Sequence, residues 1–414
     1  MSKRVGIIGG GAAGLFTACM LMKLQVNREL DVTILESNPE PGKKLTLTGH
    51  GRCNITNRKP VSELKKGYHE AENYIYPALK AFGPEDTVRF FETDLGLKVK
   101  EEDNNRIFPV CDSAIQVRNT IVSYISDQTN IVCNVKVLDI KKTSCFEVHT
   151  ASGIYEFDCI VLSCGGSSFP HTGSAGDSYR FALSSGHSVV PLRAALAPVK
   201  TENGSQNITK KLSGVSVTAG VSVYCDGRKN ASNNGEILFA DFGLTGPAIM
   251  EISREIPGDL SGTDVWIELD FIPSLTEEQL DKELISLIDE HPDTKLSTLM
   301  SGFVPASVAD EITSKAEAAG LYAQSFTREN RRRLIKEAKH LRIGIDQVPS
   351  LDRAYVTRGG VMLKEVDRKT FQSRLVPGLY IIGEALDIDG ISGGYNLQAC
   401  MSEAYLAAAD ILGK

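Results

Sequence analysis

The sequence predicts an α/β protein, a Rossmann-like domain interrupted by an insert that is β-barrel-like at first and helical afterwards. Three observations predict it: a strand, glycine turn and helix in succession at the N-terminus, a glycine-bounded strand, loop and apolar helix at the C-terminus, and period-two alternation between them. At 414 residues the chain is too long for one ordinary core, and one large domain plus an insert is the simplest division. The expected boundaries are 1–190 with 356–414 for the discontinuous domain and 191–355 for the insert, β-rich over 191–272 and helical over 273–345.

Residues Arg4 to Ile8 form a short apolar strand, and Gly9-Gly10-Gly11-Ala12-Ala13-Gly14 fits G-x-G-x-x-G before a helical stretch from Leu15 to Leu24. Gly9 permits the tight turn, Gly11 lets the backbone approach a pyrophosphate, and Gly14 packs helix on strand, while the helix N-terminus offers bare N–H groups to the anion. A second β-rich stretch, Asp31 to Leu35, ends in Glu36, near the separation of about 20 residues at which an acidic side chain accepts the ribose hydroxyls. Glu36 would repel a 2′-phosphate, so FAD or NAD(H) is favoured. Lys3 and Arg4 before the apolar run Val5 to Met22 superficially resemble a signal peptide, but Gly6, Gly9, Gly10, Gly11 and Gly14 interrupt that run.

Composition narrows the partners. A formal charge of −7 argues against wholesale attraction to nucleic acid or anionic membrane, and no segment approaches the roughly 18 uncharged apolar residues of a span, so no membrane association is expected. Nine cysteines without C-x-x-C or paired Cys/His spacing point to a reducing, cytoplasmic compartment and no metal.

The loop Thr48-Gly49-His50-Gly51-Arg52-Cys53-Asn54-Ile55-Thr56-Asn57 is dense in glycine and hydrogen-bonding side chains. Two readings stay open for it: a segment laid along a cofactor, with charge from Arg52 and amide groups from Asn54, or a capped surface turn. Asp158 to Ser163 is another apolar strand, after which Gly165-Gly166 allows a close backbone approach. Gly378 to Glu384 reads as a buried strand ending at Gly383 and a carboxylate, and Gly390 to Asn396 leads into an apolar helix from Leu397 to Leu412. That helix points its N-terminus at whatever occupies the loop; in many FAD enzymes such a helix dipole stabilises negative charge at flavin N1/O2, which would put Gly393, Gly394, Tyr395, Asn396 and Leu397 beside the isoalloxazine.

The stretch GKKLTLTGHGRCNITN, from Gly42 to Asn57, resembles the corresponding block of the BaiN/RdsA family of FAD-dependent oxidoreductases, with its YhiN-type and aminoacetone-oxidase-like members. Ser163 to Asp177 with Gly186-His187, Gly235 to Pro247, Thr357 to Val361 and Gly378 to Gln398 are similar to further blocks in the same order. Two departures stand out: Ala240-Asp241 replaces a frequent Thr-His, and Glu403-Ala404 replaces a usual Ser-Gly. Neither is expected to touch a flavin contact, which points to subfamily differences in the substrate pocket. The resemblance implies flavin hydride transfer. Family members reduce C=C bonds in steroid-like acids or in uracil of ribosomal RNA, or are linked to amine oxidation.

The expected cofactor-binding set is Gly9, Gly11, Ala12, Ala13, Gly14, Glu36, Ser37, Lys44, Gly51, Arg52, Cys53, Asn54, Val137, Gly165, Gly166, Gly383, Glu384, Gly393, Gly394, Tyr395, Asn396 and Leu397. Non-covalent FAD is expected; NADH or NADPH would bind only transiently, since no second G-x-G-x-x-G is present. Catalytic candidates are Arg52, to polarise a carbonyl, and Tyr395, to supply a proton. Cys53 reads as a packed residue, because no His is paired with it by any motif.

Within the insert, Val215 to Thr218, Val221 to Tyr224, Glu236 to Phe239 and Val265 to Leu269 read as strands. Thr276-Glu277-Glu278-Gln279 fits a capping box, with Leu280, Leu284, Leu287 and Ile288 on one helical face. The last expected helix carries Arg328, Arg331, Arg332, Arg333, Lys336, Lys339 and Arg342 against Glu329 and Glu337. Ribosomal RNA phosphates are one partner for it; a solvated face is the simpler explanation. Three functions follow: a small-molecule reductase or oxidase, an RNA-modifying reductase, and a non-catalytic flavin-binding protein.

Overall fold

A five-stranded parallel sheet anchors the fold, in the order Leu379–Ile381, Cys159–Leu162, Lys3–Ile8, Leu30–Leu35, Thr129–Val132. Its inner strands are mainly apolar where both faces are covered: Val5, Ile7, Ile34 and Val161 are all fully buried. In this computed structural model residues 2–25 and 30–414 are described. The first helix, Ala12–Leu24, is buried almost all round, and the C-terminal helix, Tyr395–Ile411, packs on it. The helix meets its strand closely at Gly14, where a Cβ would lie 2.0 Å from the Gly9 carbonyl oxygen.

Two compact units divide the chain, one up to Arg193 and again from Tyr355, the other Ala194–Ala354. The first contains the parallel sheet, a three-stranded sheet of Val137–Lys142, Phe146–Thr150 and Gly153–Phe157, and another of Thr56–Asn57, Arg106–Pro109 and Val99–Glu102.

The second unit is built on a six-stranded antiparallel sheet, Val199–Lys200, Gly243–Thr245, Arg228–Ala240, Ser216–Cys225, Val265–Asp270, Leu341–Ile345. A bridge between Thr201 and Ile345 ties its edges into a nearly closed barrel. The capping box at Thr276 forms, the hydroxyl accepting from Gln279 N at 3.2 Å, a contribution of about 1 kcal/mol. Leu280 and Leu284 below it are fully buried, each worth roughly 1.5–3 kcal/mol.

Two readings of the insert are corrected. The alternating stretches 215–218 and 221–224 belong to one ten-residue strand, which continues through Gly220 because that residue pairs with Asn234 and Asp270 on either side. The basic helix ends at Lys339, and Arg342 lies on the last strand, where buried Leu341, Ile343 and Ile345 alternate with it.

Candidate functional site

The glycine turn presents an open helix end. Gly9 holds φ +102°, a left-handed conformation that a side chain disfavours, and a Cβ there would meet Ser163 O at 2.7 Å. Gly11 caps the first helix in extended conformation without a side-chain cap, and no acidic residue stands in the first turn. The N–H groups of Ala12, Ala13 and Gly14 therefore lack intrahelical partners, and the positive end of the dipole is uncompensated by side chains. A Cβ on Gly11 would meet nothing closer than Ser163 O at 4.0 Å, so space is open beside these donors.

Glu36 is fixed beside the turn. Its carboxylate, 6% exposed, accepts Gly10 N at 2.8 Å through one oxygen and Asn38 N and Nδ2, each at 2.7 Å, through the other, with the Ser37 hydroxyl at 3.3 Å. Val135 N donates to Glu36 O at 2.9 Å, which brings the chain toward buried Val137 past the same edge. Oε2, which takes a single donor, keeps acceptor capacity for a ribose hydroxyl, whereas Oε1 is already filled by Asn38 and Ser37.

Lys44, Gly165, Gly166, Gly383 and Glu384 converge. Lys44 Nζ lies 2.6 Å from Glu384 Oε2 and 2.6 Å from Ser168 Oγ; Ser168 Oγ and Thr357 N donate to Glu384 Oε1, the latter at 2.8 Å. Burial works to raise the Glu384 carboxyl, but the Lys44 charge and the hydrogen bonds of Lys44, Ser168 and Thr357 outweigh it and hold the group below its ordinary value. Gly166 leaves room for that carboxylate, since a Cβ there would come 2.8 Å from Glu384 Oε1. Ser168 and Thr357 were absent from the expected set; both lie in the motif blocks, but a hydroxyl's partner across about 190 residues carries no sequence signal.

The loop 49–57 is laid against the start of the C-terminal helix. The Asn54 amide, oriented to satisfy both ends, donates to Ile107 O and Thr56 O and accepts Gly394 N at 3.2 Å, while Asn57 Nδ2 donates to Gly393 O at 3.3 Å. Gly394 holds φ +96°, and a Cβ there would strike the Thr56 backbone at 2.5 Å. It is an uncapped helix N-terminus without acidic residues in its first turn, the second in this unit. The Asn396 side chain closes the preceding loop on itself through Gly390 N and O, both at 2.9 Å, and Leu397 is buried behind it.

The two catalytic candidates are placed differently from one another. The Arg52 guanidinium lies over the Phe108 ring and pairs with Glu102 and with Asp112, the latter at 2.7 Å, in a partly exposed network that Lys100 joins, so its charge is already matched. Tyr395 is 2% exposed, its ring 5.7 Å from that of Tyr68, whose hydroxyl donates to Tyr395 O at 2.8 Å. Cys53 is buried with its thiol pushed up to about 12 by desolvation, no thiolate nucleophile at neutral pH. Gly51 sits in the open, with nothing within 4 Å of an added Cβ.

One expectation is overturned by contact. Glu403, one of the two departures from the family pattern, accepts the N–H of Gly383, so it does touch the expected flavin set.

An open helix N-terminus at the glycine turn, a fixed carboxylate at the end of the second strand and a second helix N-terminus free of acidic residues fit the diphosphate, ribose and ring system of FAD. The class is thus an FAD-binding protein of the Rossmann type. Residues 3–410 match the family described as HI0933-like protein Rossmann domain, and the chain belongs to that family. It is 31% identical, over 98% of both chains, to the 3-dehydro-bile acid delta(4,6)-reductase of Clostridium scindens. It is 27% identical to the ribosomal RNA dihydrouridine synthase of Escherichia coli, over 98% of this chain and 97% of that one. The fold is similar to that of 3-ketosteroid delta1-dehydrogenase from Sterolibacterium denitrificans, with TM-score 0.52, 13% identity and complete coverage of both chains. The protein is an FAD-dependent oxidoreductase.

Proposed function

We propose that this oxidoreductase reduces a C=C bond conjugated to a carbonyl in a small molecule, in the cytoplasm, with non-covalent FAD and with NADH or NADPH as transient electron donor. The observation that carries this reading is the identity, along the whole chain, with a protein named as a reductase of such bonds. Bound FAD supplies two-electron hydride chemistry.

The chain's own contribution is positioning and charge. The N–H groups of Ala12, Ala13 and Gly14 hold the pyrophosphate, with Gly9 and Gly11 clearing its approach; Glu36, flanked by Ser37 and Val137, takes the ribose hydroxyls. Lys44 and Glu384, framed by Gly165, Gly166 and Gly383, line the ribityl side. Gly51 to Asn54 and Gly393 to Leu397 would hold the ring, with the positive end of the C-terminal helix favouring negative charge on it. Tyr395 is the proton donor to test first, by Tyr395→Phe; Arg52 is the less favoured group, because two carboxylates already neutralise it.

Reduction of uridine in ribosomal RNA is the second reading, favoured by the identity with the E. coli synthase. Against its use of the basic helix, Arg331 pairs with Asp281 at 2.5 Å and Arg333 with Glu317 at 2.5 Å and Glu329 at 2.8 Å. Anaerobic reduction with NADH or NADPH, then reoxidation by enones, amines or ribosomal RNA, tests both. Reoxidation by RNA and not by enones would reverse the preference.

A further inference from the structure

Glu403 is the most unusual side chain in the first unit. It is 0% exposed on the C-terminal helix, one oxygen accepts Gly383 N, and the other, Oε1, is buried without a hydrogen-bond partner. A buried carboxyl left half satisfied costs stability, and an apolar residue of similar volume would avoid that cost. Its presence here calls for something the Gly383 bond supplies.

Gly383 is the last residue before Glu384, and its N–H follows directly from the strand that returns to the parallel sheet. A Cβ on Gly383 would lie 2.8 Å from Ala13 Cβ in the first turn of the first helix. The same peptide thus touches the pyrophosphate-binding helix end on one side and delivers Glu384 to Lys44, Ser168 and Thr357 on the other. We propose that Glu403 is the positioning residue of the flavin site: it pins the Gly383 peptide to the C-terminal helix and so sets the Glu384–Lys44 pair against the bound cofactor. The proposal rests on the reading that FAD lies along Gly11 and Gly383–Glu384.

The neutral form follows from the surroundings. Desolvation raises the Glu403 carboxyl to about 8, with the Gly383 N–H opposing, and no cation contacts it. The other titratable groups facing this position are Tyr68, Tyr74 and Cys400, all pushed up by burial, and Glu384 with Lys44 across Gly383. The first three stay protonated well above pH 8, and Glu384 is already ionised well below it. Binding an anionic pyrophosphate next to this peptide favours the protonated acid further. FAD affinity therefore falls as pH rises above about 8, by at most tenfold per pH unit for one proton.

The test uses deflavinated full-length protein and FAD titration from pH 7 to 9.5, with circular dichroism of each apoprotein. Glu403→Leu, which removes the acceptor, is expected to weaken FAD binding about tenfold at pH 7, equivalent to about 1.4 kcal/mol. Glu403→Gln, which keeps an acceptor for Gly383 but cannot ionise, is expected to bind within about threefold of wild type and to lose the decline above pH 8. Wild-type affinity in folded Glu403→Leu, or a wild-type decline in Glu403→Gln, overturns the proposal. Should the leucine variant not fold, the pH profile of the glutamine variant decides alone. Gly11→Val and Glu384→Ala measured alongside separate the two levels: if both retain full FAD affinity, the location of the flavin is wrong, and the role of Glu403 falls with it.

Discussion

Gly11 and Gly14 stand three residues apart in the same motif, yet replacing each with valine has different consequences. At Gly11 the backbone is extended, φ −74° and ψ −171°, which valine adopts without strain, and the nearest atom to a new Cβ is 4.0 Å away. Loss of a glycine cap to valine costs roughly 1 kcal/mol, and reduced freedom of the unfolded chain returns about 0.4–1 kcal/mol, so the apoprotein should melt within about 3 °C of wild type. The valine methyls instead occupy the space the pyrophosphate requires. Losing two charge-assisted N–H bonds, roughly 1.5–3 kcal/mol each, weakens FAD binding by about 10²- to 10⁴-fold. At Gly14 the new Cβ would lie 2.0 Å from Gly9 O, and the helix must leave its strand, costing about 1–3 kcal/mol or more before any ligand is considered. Flavin content from the absorbance ratio, apoprotein melting and FAD titration measure the two effects separately. Full FAD occupancy in Gly11→Val, or an apo Gly11→Val as unstable as Gly14→Val, would refute the assignment of an anion site at this turn.

Acid precipitation should release free FAD into the supernatant; flavin retained in the pellet would point to attachment through His50, His171 or Cys53. A fragment of residues 1–190 should not hold FAD, because Gly383 to Leu397 would be missing, and full affinity in that fragment would remove the C-terminal half of the proposed site. Neutralising Arg331, Arg332 and Arg333 should leave flavin content and small-molecule turnover unchanged; if RNA is the substrate through this helix, the salt dependence of its binding flattens by up to about three units of slope. His187, 3% exposed between Ala182 O and Ser373 Oγ, is held below its ordinary value by burial. The folded state thus binds fewer protons than the unfolded one, so stability falls as pH drops below about 6.5, and His187→Gln should flatten that limb in urea unfolding series.

The fold was legible where local chemistry and tertiary role coincide. The first strand, turn and helix announce themselves because a phosphate turn needs glycines at fixed offsets, and the parallel strands because burial on both faces demands mainly apolar runs. Legibility ended where a residue's meaning depends on a distant neighbour. Val215 to Thr218 and Val221 to Tyr224 read as separate strands, and only the pairing of Gly220 between them with Asn234 and Asp270 shows one continuous strand. Arg342 reads as the end of a basic helix, and only the pairing of Ile343 with Ile267 puts it on a strand.

The site follows the same division, with charge as the decisive quantity. A sequence states which ionisable groups exist and leaves open which of them neutralise one another. Arg52, Arg331 and Arg333 look like free cations when read along the chain, yet Glu102 and Asp112, Asp281 and Glu317 arrive from other elements to pair with them. Glu403 looks like a peripheral substitution and is instead a carboxyl without a counter-charge, in contact with the strand end that bears Glu384. A cation already paired adds little field at a flavin or an RNA phosphate, because any new anion must compete with a carboxylate already in place. An unpaired buried acid does the opposite: its protonation state responds to whatever charge is brought near it. Several of the groups that sequence alone ranks highest for electrostatic roles are therefore already paired by the fold, and the group best placed to sense the cofactor is one whose importance rests entirely on a contact across the fold.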